Sequence, residues 1–316
     1  MTCELPIAVI VATSGMNRIG LLEKRSLPSV LLQTKAAAII YIVCDDEPDV
    51  SEKKRLAVER ARRDAAEQFG DDEGMPFVEF LSNQRTRRKS GTGCWNTGII
   101  AAYQKFQECW IAILDDDDCW NNNHLALCAK TAVGSGPAVK WVVSGLLRYR
   151  SEAATATREE LPLQMPKRSE FFVTNPGIQG SNMFVTCSAL IRAGLFDEAL
   201  AASTDRDLCL RLVSVLEKEN YACTGEHTVK HFADADRARV SQPGSLAKIS
   251  GLKAFYYKHA PSMSQRERSD FLRRAHYKFR CEDVHFMSDG ELKGFEEATV
   301  RSASGDAVRV HMRTMQ

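Results

Sequence analysis

The sequence predicts an α/β protein: a mostly parallel sheet flanked by helices, with a C-terminal helical extension. Three observations lead there. Pro6–Ala12 (PIAVIVA), Ala37–Cys44 (AAIIYIVC) and Trp110–Leu114 (WIAIL) are continuous apolar runs of strand length, the pattern of strands buried on both faces. Segments with helical periodicity separate them. Each run also gives way to polar or acidic residues, at the strand end where open α/β sheets bind ligands.

Taken in order, PIAVIVA is the first strand, followed by the polar loop Thr13–Arg18 and a helical pattern carrying Leu21, Leu22, Leu27, Val30, Leu31 and Leu32, in which Pro28 implies a kink or new first turn. The second strand ends in the acids Asp45, Asp46, Glu47 and Asp49 around Pro48. Ser51 is then the expected N-cap of a helix to Phe69, with Leu56, Ala57, Ala61, Ala65 and Phe69 as its apolar stripe and Gly70 as its stop. Phe77–Leu81 is a third strand. The basic loop RTRRKSGTG precedes a helix over Trp95–Phe106, expected to turn Ile99, Ile100, Tyr103 and Phe106 to the core. Trp110–Leu114 follows, then the acid run Asp115–Asp118. A helix over Leu125–Thr131 and a strand over Trp141–Tyr149 come next, then Ser151–Arg168, whose weak periodicity reads as a mobile excursion. Asp205–Leu216 is a helix with Leu208, Leu212 and Val215 inward and Arg206 outward; His227–His231 is a short strand. From Ser245 the chain is helical, basic and aromatic to Arg280, and the last segment reads as a hairpin around Ser304-Gly305-Asp306.

The chain has 316 residues, 44% hydrophobic and 26% charged, with net charge +1. That is an ordinary globular mix with no electrostatic case for nucleic acid. No apolar stretch approaches the length of a membrane-spanning helix, and the N-terminus lacks the basic leader of a signal peptide. Ten cysteines are scattered without a CxxC pair. They read as reduced, largely buried thiols, which favours a cytoplasmic location, with peripheral membrane association left open.

Asp115–Asp118 is the stretch with chemistry. Like charges about 4 Å apart repel by roughly 4 kcal/mol at an effective dielectric near 20. A divalent cation would turn that repulsion into coordination. A solvated acidic turn is the plainer reading of four adjacent acids; the buried strand before them argues against it.

These pieces together resemble a family-2-type glycosyltransferase of the GT-A (Rossmann-like) fold, over about Ile7–Ser241. VIVATSGMNR is similar to the opening strand and nucleotide-contacting loop, LPSVLLQT to the helix after it, and IVCDD to the second strand with its paired acids. GCWNTGIIAAY resembles the ARN-x-G helix, with Trp95 where arginine is usual. ILDDDDCW resembles the DxD strand, and GLFDE followed by STDRDLCLRL the late acceptor-side helix. A lone DxD is weak; six pieces in order are specific.

The resemblance implies metal-dependent transfer of a sugar from a nucleotide diphosphate, UDP by default, to an acceptor hydroxyl with inversion. Residues 1–120 would form the nucleotide-sugar half, 121–244 the acceptor half, and 245–316 the extension. Asp117 would be the main ligand of Mn²⁺ or Mg²⁺, with Asp115 or Asp116 on the ribose and around the metal. Thr13 and Asp46 would contact the donor, Asp46 at the base or ribose edge, although turn chemistry before Pro48 also accounts for it. Arg88 and Lys89 precede the helix carrying Asn96 and would reach base or phosphate, or else form a solvated loop. His231 is placed to complete the metal site, with His227 as competitor, and Arg237 and Arg239 could clamp phosphates. Asp205 would be the general base, against an ordinary N-cap, with Asp207 as fallback because the family's Glu-Asp is Thr204-Asp205 here. The acceptor (saccharide, lipid-linked glycan, peptide or small molecule) and oligomeric state stay open. A nucleotidyltransferase-like enzyme is the alternative, disfavoured because ATSGMNR holds only Gly15; so is a non-catalytic nucleotide-sugar-binding module. GxGxxG for a dehydrogenase is absent after the first strand.

Overall fold

The computed structural model describes residues 4–69, 74–86, 90–151, 153–233, 242–281, 296–301 and 307–312. Strand β1 (Ile7–Thr13) leads into an irregular helical run, α1 (Ile19–Leu21), a π-helical turn and α2 (Leu27–Leu31), which places Pro28 at the first positions of α2, where its missing N–H is tolerated. Next come β2 (Ile39–Cys44), α3 (Pro48–Phe69), β3 (Phe77–Ser82), α4 (Thr92–Phe106), β4 (Trp110–Asp115), β5 (Cys119–Trp120) and α5 (His124–Gly134). The second half comprises β6 (Trp141–Tyr149), β7 (Arg158–Glu160), α6 (Arg168–Val173), β8 (Met183–Thr186), α7 (Cys187–Arg192), α8 (Thr204–Val215) and β9 (Tyr221–Phe232). After it lie α9 (Leu246–His259), α10 (Gln265–Phe279), β10 (Glu296–Arg301) and β11 (Ala307–Met312).

Among the described residues the strands form a nine-stranded sheet in the order β3-β2-β1-β4-β8-β6-β9-β5, with β7 on β6, and a separate β10-β11 pair. Strands β3, β2, β1, β4, β6 and β9 share one direction, while β8, β5 and β7 run against it. The strand order reverses at β1. That leaves a crevice beyond the ends of β1 and β4, the site type of open α/β sheets.

Alternation builds the core. In β1, Ala8, Ile10 and Ala12 face one apolar cluster and Ile7, Val9 and Val11 the other; β4 does the same with Ile111 and Ile113 against Trp110, Ala112 and Leu114. Each fully buried aliphatic side chain of this kind contributes about 1.5–3 kcal/mol. Helices α2, α3 and α5 cover one face, and α4, α7, α8, α9 and α10 the other. Leu252, Phe255, Phe271 and Ala275 belong to that second cluster, so α9 and α10 are part of the core.

Several expectations change. Helix α3 starts at Pro48 rather than behind Ser51, because proline suits a first helical turn. Leu56 is exposed, and the buried stripe is Ala57, Val58, Ala61 and Ala65. Tyr103 is exposed as well. The 151–168 excursion contains β7, which pairs with β6. The short strand at His227–His231 is the end of the longer β9. Arg206 points inward, 6% exposed, with its guanidinium 3.7 Å from the Phe255 ring centre. Stacking on aromatic rings holds an arginine where hydropathy predicts none. Of the expected terminal hairpin, the strands are present as β10 paired antiparallel with β11, and its turn at Ser304-Gly305-Asp306 lies outside the described residues. Among the described residues no helix is long and apolar enough to cross a membrane. The described cysteines are free, and most are buried.

Candidate active site

Parallel register brings Thr13, Cys44 and Asp115 to one edge of the sheet. The acid run leaves β4 as a turn, closed by Asp118 N–H donating to the Asp115 carbonyl at 3.1 Å. The four acids then diverge in role.

Asp118 is fully buried and fully engaged. Its Oδ1 accepts from the Phe232 N–H at 3.0 Å; its Oδ2 accepts from Ser181 Oγ at 2.7 Å and lies 3.0 Å from His231 Nδ1. Burial works against its charge, but His231, Ser181 and the Phe232 N–H outweigh it and hold Asp118 below the usual carboxylate range. Asp116 Oδ2 accepts from Thr13 Oγ1 at 2.7 Å, and its Oδ1 lies 3.2 Å from Arg18. Burial first, with Asp117 adding, lifts Asp116 to about 6 despite Arg18. Asp117 is ion-paired with Arg18, and its backbone carbonyl accepts from Arg25 at 2.8 Å. Asp115 is pushed well above the usual range, by burial and then by Asp118, Asp117, Asp205 and Asp116.

Asp205 enters this field from the first turn of α8. Burial lifts it to about 6; the Gly180 N–H, His231 and Lys248 oppose that, and Asp118 adds to it. Its Oδ1 is buried with no hydrogen-bond partner. Asp207 is turned the other way. It is fully buried, accepts from Arg211 and from His259 Nε2 at 2.7 Å, and lies 2.8 Å from Lys258 Nζ. Burial notwithstanding, Arg211, Lys258 and His259 hold it well below the usual range. The fallback base is thus an ion-pair hub between α8 and α9.

The competing histidines separate similarly. His231 stands opposite Asp118, whereas His227 packs against Gly145, where a Cβ would meet its ring at 2.8 Å. With Nδ1 directed to the carboxylate, Nε2 is the His231 nitrogen left for a ligand, an arrangement that also orients metal-binding imidazoles.

Asp46 is tightly held. Its Oδ1 accepts from the Gly15 N–H at 2.6 Å and its Oδ2 from Lys54 Nζ at 2.6 Å, with Lys54 fully buried. Burial raises its pKa, but Lys54 and the Gly15 N–H prevail and keep it below the ordinary value. Gly15, at φ 84°, supplies the left-handed turn that aims its N–H there. A cleft of about 410 Å³ opens beside Asp46, lined also by Ser51, Arg55, Phe80 and Ser82. Asn96 is not in the crevice: its amide donates to the Phe196 carbonyl at 2.9 Å and to Glu198 at 2.7 Å, and accepts from the Phe196 N–H at 3.0 Å. It fastens the GLFDE loop to α4. Trp95 packs on Phe196 in the same joint, ring centres 4.8 Å apart and tilted by 44°. Arg88, Lys89, Arg237 and Arg239 lie outside the described residues.

Sequence reasoning assigned no role to Arg18, Lys54, Ser181 or Lys248. Ser181 lies in the 3₁₀ turn Gly180–Asn182 before β8, and donates to Asp118 while accepting from the Asp115 N–H. A polar G-S-N between apolar segments is a visible but faint signal.

Crowded carboxylates that lift Asp115 and a carboxylate-oriented imidazole are the kinds of donor a hard divalent ion takes. Among the described residues no three His, Cys, Asp or Glu groups already stand around one point, and Arg18 occupies Asp117.

No family model matches the chain, and no curated protein matches it in sequence. Solved structures do match in shape. S. aureus TarS 1–349 in complex with UDP-GlcNAc aligns with 91% of this chain and 77% of its own, at 12% identity and a TM-score of 0.59. The same protein in complex with UDP aligns with 91% and 76%, at 11% identity and 0.57. In the longer TarS structure this chain spans 46% of the length, at 12% identity and 0.54. The likeness shows the fold, a mostly parallel sheet flanked by helices, as the sequence leads one to expect.

Proposed function

We propose that the chain is a metal-dependent glycosyltransferase that moves a sugar from a nucleotide diphosphate, UDP in the first instance, to an acceptor hydroxyl with inversion. The observation that carries this is the unpartnered, buried oxygen of Asp205 facing the acid turn at the end of β4. A base and an anion-repelling, cation-seeking cluster meet in the crevice of a fold shared with a protein solved with UDP-GlcNAc.

Asp117 and His231 Nε2 would hold Mn²⁺ or Mg²⁺, once Arg18 swings from Asp117, and Asp115 would complete its surroundings. The ion when bound supplies Lewis-acid stabilisation of the departing diphosphate. Thr13 and Ser181 keep Asp116 and Asp118 in place. Asp46 takes the ribose or base edge at the neighbouring cleft. Asp205 accepts the acceptor's hydroxyl proton while the new C–O bond forms opposite the leaving nucleoside diphosphate, which departs with the bonding pair. No covalent enzyme intermediate is needed.

The test is a thermal-shift series with UDP and other nucleoside diphosphates, each with and without Mn²⁺, on wild type and Asp117→Ala. Binding at a hundredfold excess over Kd stabilises the fold by about 2.7 kcal/mol. A Mn²⁺-dependent shift with one nucleotide, lost in the variant, is the expected result. The same shift in both proteins, or none with any nucleotide, would sink the reading.

A further inference from the structure

A second charged cluster, of opposite sign, stands on the α9–α10 side of Asp205. It gathers Arg148 of β6, Arg158 of β7, Arg206 of α8, Lys248 of α9, and Arg274 and Lys278 of α10. These cations act on one another. Burial first, then Arg206 and Arg274, lowers Lys248 to about 7; burial, then Arg274, Arg158 and Arg148, lowers Lys278. Glu160 answers two of them, with Arg148 at 2.9 Å and Arg158 at 2.8 Å. Lys248, Arg274 and Lys278 share the Phe279 ring, at 4.4, 5.6 and 5.8 Å from its centre.

Two of the guanidiniums are incompletely satisfied. Arg206 Nε and Nη2 and Arg274 Nε are buried without a hydrogen-bond partner. Buried donors of that kind are rare in native proteins, and those of a charged group are the most costly to leave unmet. An open cleft of about 420 Å³ adjoins the cluster, lined by Val173, Asp270, Arg273, Arg274, Tyr277 and Lys278, with Asp270 held by Arg273. The cluster also meets the candidate site at two points. Arg148 lies opposite His231 in the β6–β9 register, and Lys248 interacts with Asp205.

We propose that this cluster is a subsite for a phosphate-class anion carried by the acceptor, which positions the acceptor hydroxyl at Asp205. Guanidinium forks match phosphate oxygens in pairs, and lysines add charge without a fixed geometry. The inference rests on the transferase reading for the word acceptor; the anion site itself does not. The donor diphosphate is the other source of the same chemistry, and the experiment separates the two.

Inorganic phosphate is titrated into the full chain by calorimetry, at constant ionic strength in chloride, with and without saturating UDP and Mn²⁺. Wild type, Lys278→Glu and Arg274→Gln are compared, and the ligand-free melting of each variant reports its fold. Lys278 stands at the surface with its charge only partly desolvated, so its variant keeps the test alive if Arg274→Gln destabilises the protein. Expected are phosphate binding that survives saturating UDP and a loss of at least about tenfold in affinity in Lys278→Glu, where a cation becomes an anion. Absent phosphate binding, equal affinity in the variants, or full competition by UDP overturns the proposal, the last by handing the cluster to the donor. Phosphate binding without any UDP binding would keep the anion site and defeat the donor reading instead.

Discussion

Asp205 and Asp207 share a helical turn and differ in what surrounds them. One has a buried oxygen with no donor; the other has two cationic partners, Arg211 and Lys258, and a hydrogen bond with His259. Asp205→Asn should lower transfer by about 10²–10⁴-fold while UDP still binds, as measured by initial rates and calorimetry. A binding module would show no turnover to lose. With Asp205 lifted to about 6, its base form is lost as pH falls through that value, so the rate should drop on the acid side of pH 6 and level off above it. A flat profile from pH 5 to 8 would remove Asp205 from the proton transfer. Arg18 offers a second handle, since its guanidinium sits where a cation is expected. Arg18→Met should melt lower without metal and gain more from Mn²⁺ than wild type does. An unchanged Mn²⁺ increment would show that Arg18 does not compete for the acids.

Helix α8 is welded to α9 through Asp207, and the weld is buried. Asp207→Asn leaves Arg211 and Lys258 short of a counter-charge, and breaking a buried pair costs about 3–5 kcal/mol. The folded-state pKa lies well below the ordinary value. The stabilisation is therefore complete above the unfolded value near 3.9 and lost as pH falls toward the folded one. Urea melts at pH 7 and pH 3 should show the variant's deficit shrinking at the lower pH. Helix α4 is pressed onto β1 through Gly98, where a Cβ would meet Ile10 at 2.6 Å. Gly98→Ala should cost about 1–3 kcal/mol by overpacking, read as a lower urea midpoint with an unchanged slope. The asparagine and glycine of this helix thus have plain mechanical roles: one fastens a loop, the other permits close approach. Such roles are invisible in a sequence, because the partner of each lies on a distant segment.

For the whole molecule, what could be read in advance follows from locality. Strands β1, β2 and β4 announce themselves because burial on both faces writes an unbroken apolar run. The acids were legible because they sit at the end of such a run. Lys54 was not: a lysine on a helix reads as solvated until Asp46 is seen above it. Arg206 was misjudged for the same reason, its compensation coming from rings on α9 and α10. Ser181 depends on β8 pairing antiparallel with β4, a contact no local pattern encodes. The segment between β6 and α6 is tied down chiefly by β7. Inserting a short glycine-serine stretch after Ala154 should therefore change stability by less than about 1 kcal/mol, since loop closure grows slowly with length. Thermal melts would check this, and a collapse of the Mn²⁺-dependent UDP shift would refute the independence it implies.

Because β8 runs against its neighbours, the chain reaches the crevice from two opposite headings, once leaving β4 and once arriving at β8. Locked strand registers on both sides make this a clasp, shut by Ser181 across Asp115 and Asp118. Between the two halves of the clasp lie α5 and the buried strand β6, which must keep their packing, whereas the more exposed stretch around β7 can change without prising it open. Under the proposed transferase reading, acceptor preference would change there while the donor-side acids stay fixed.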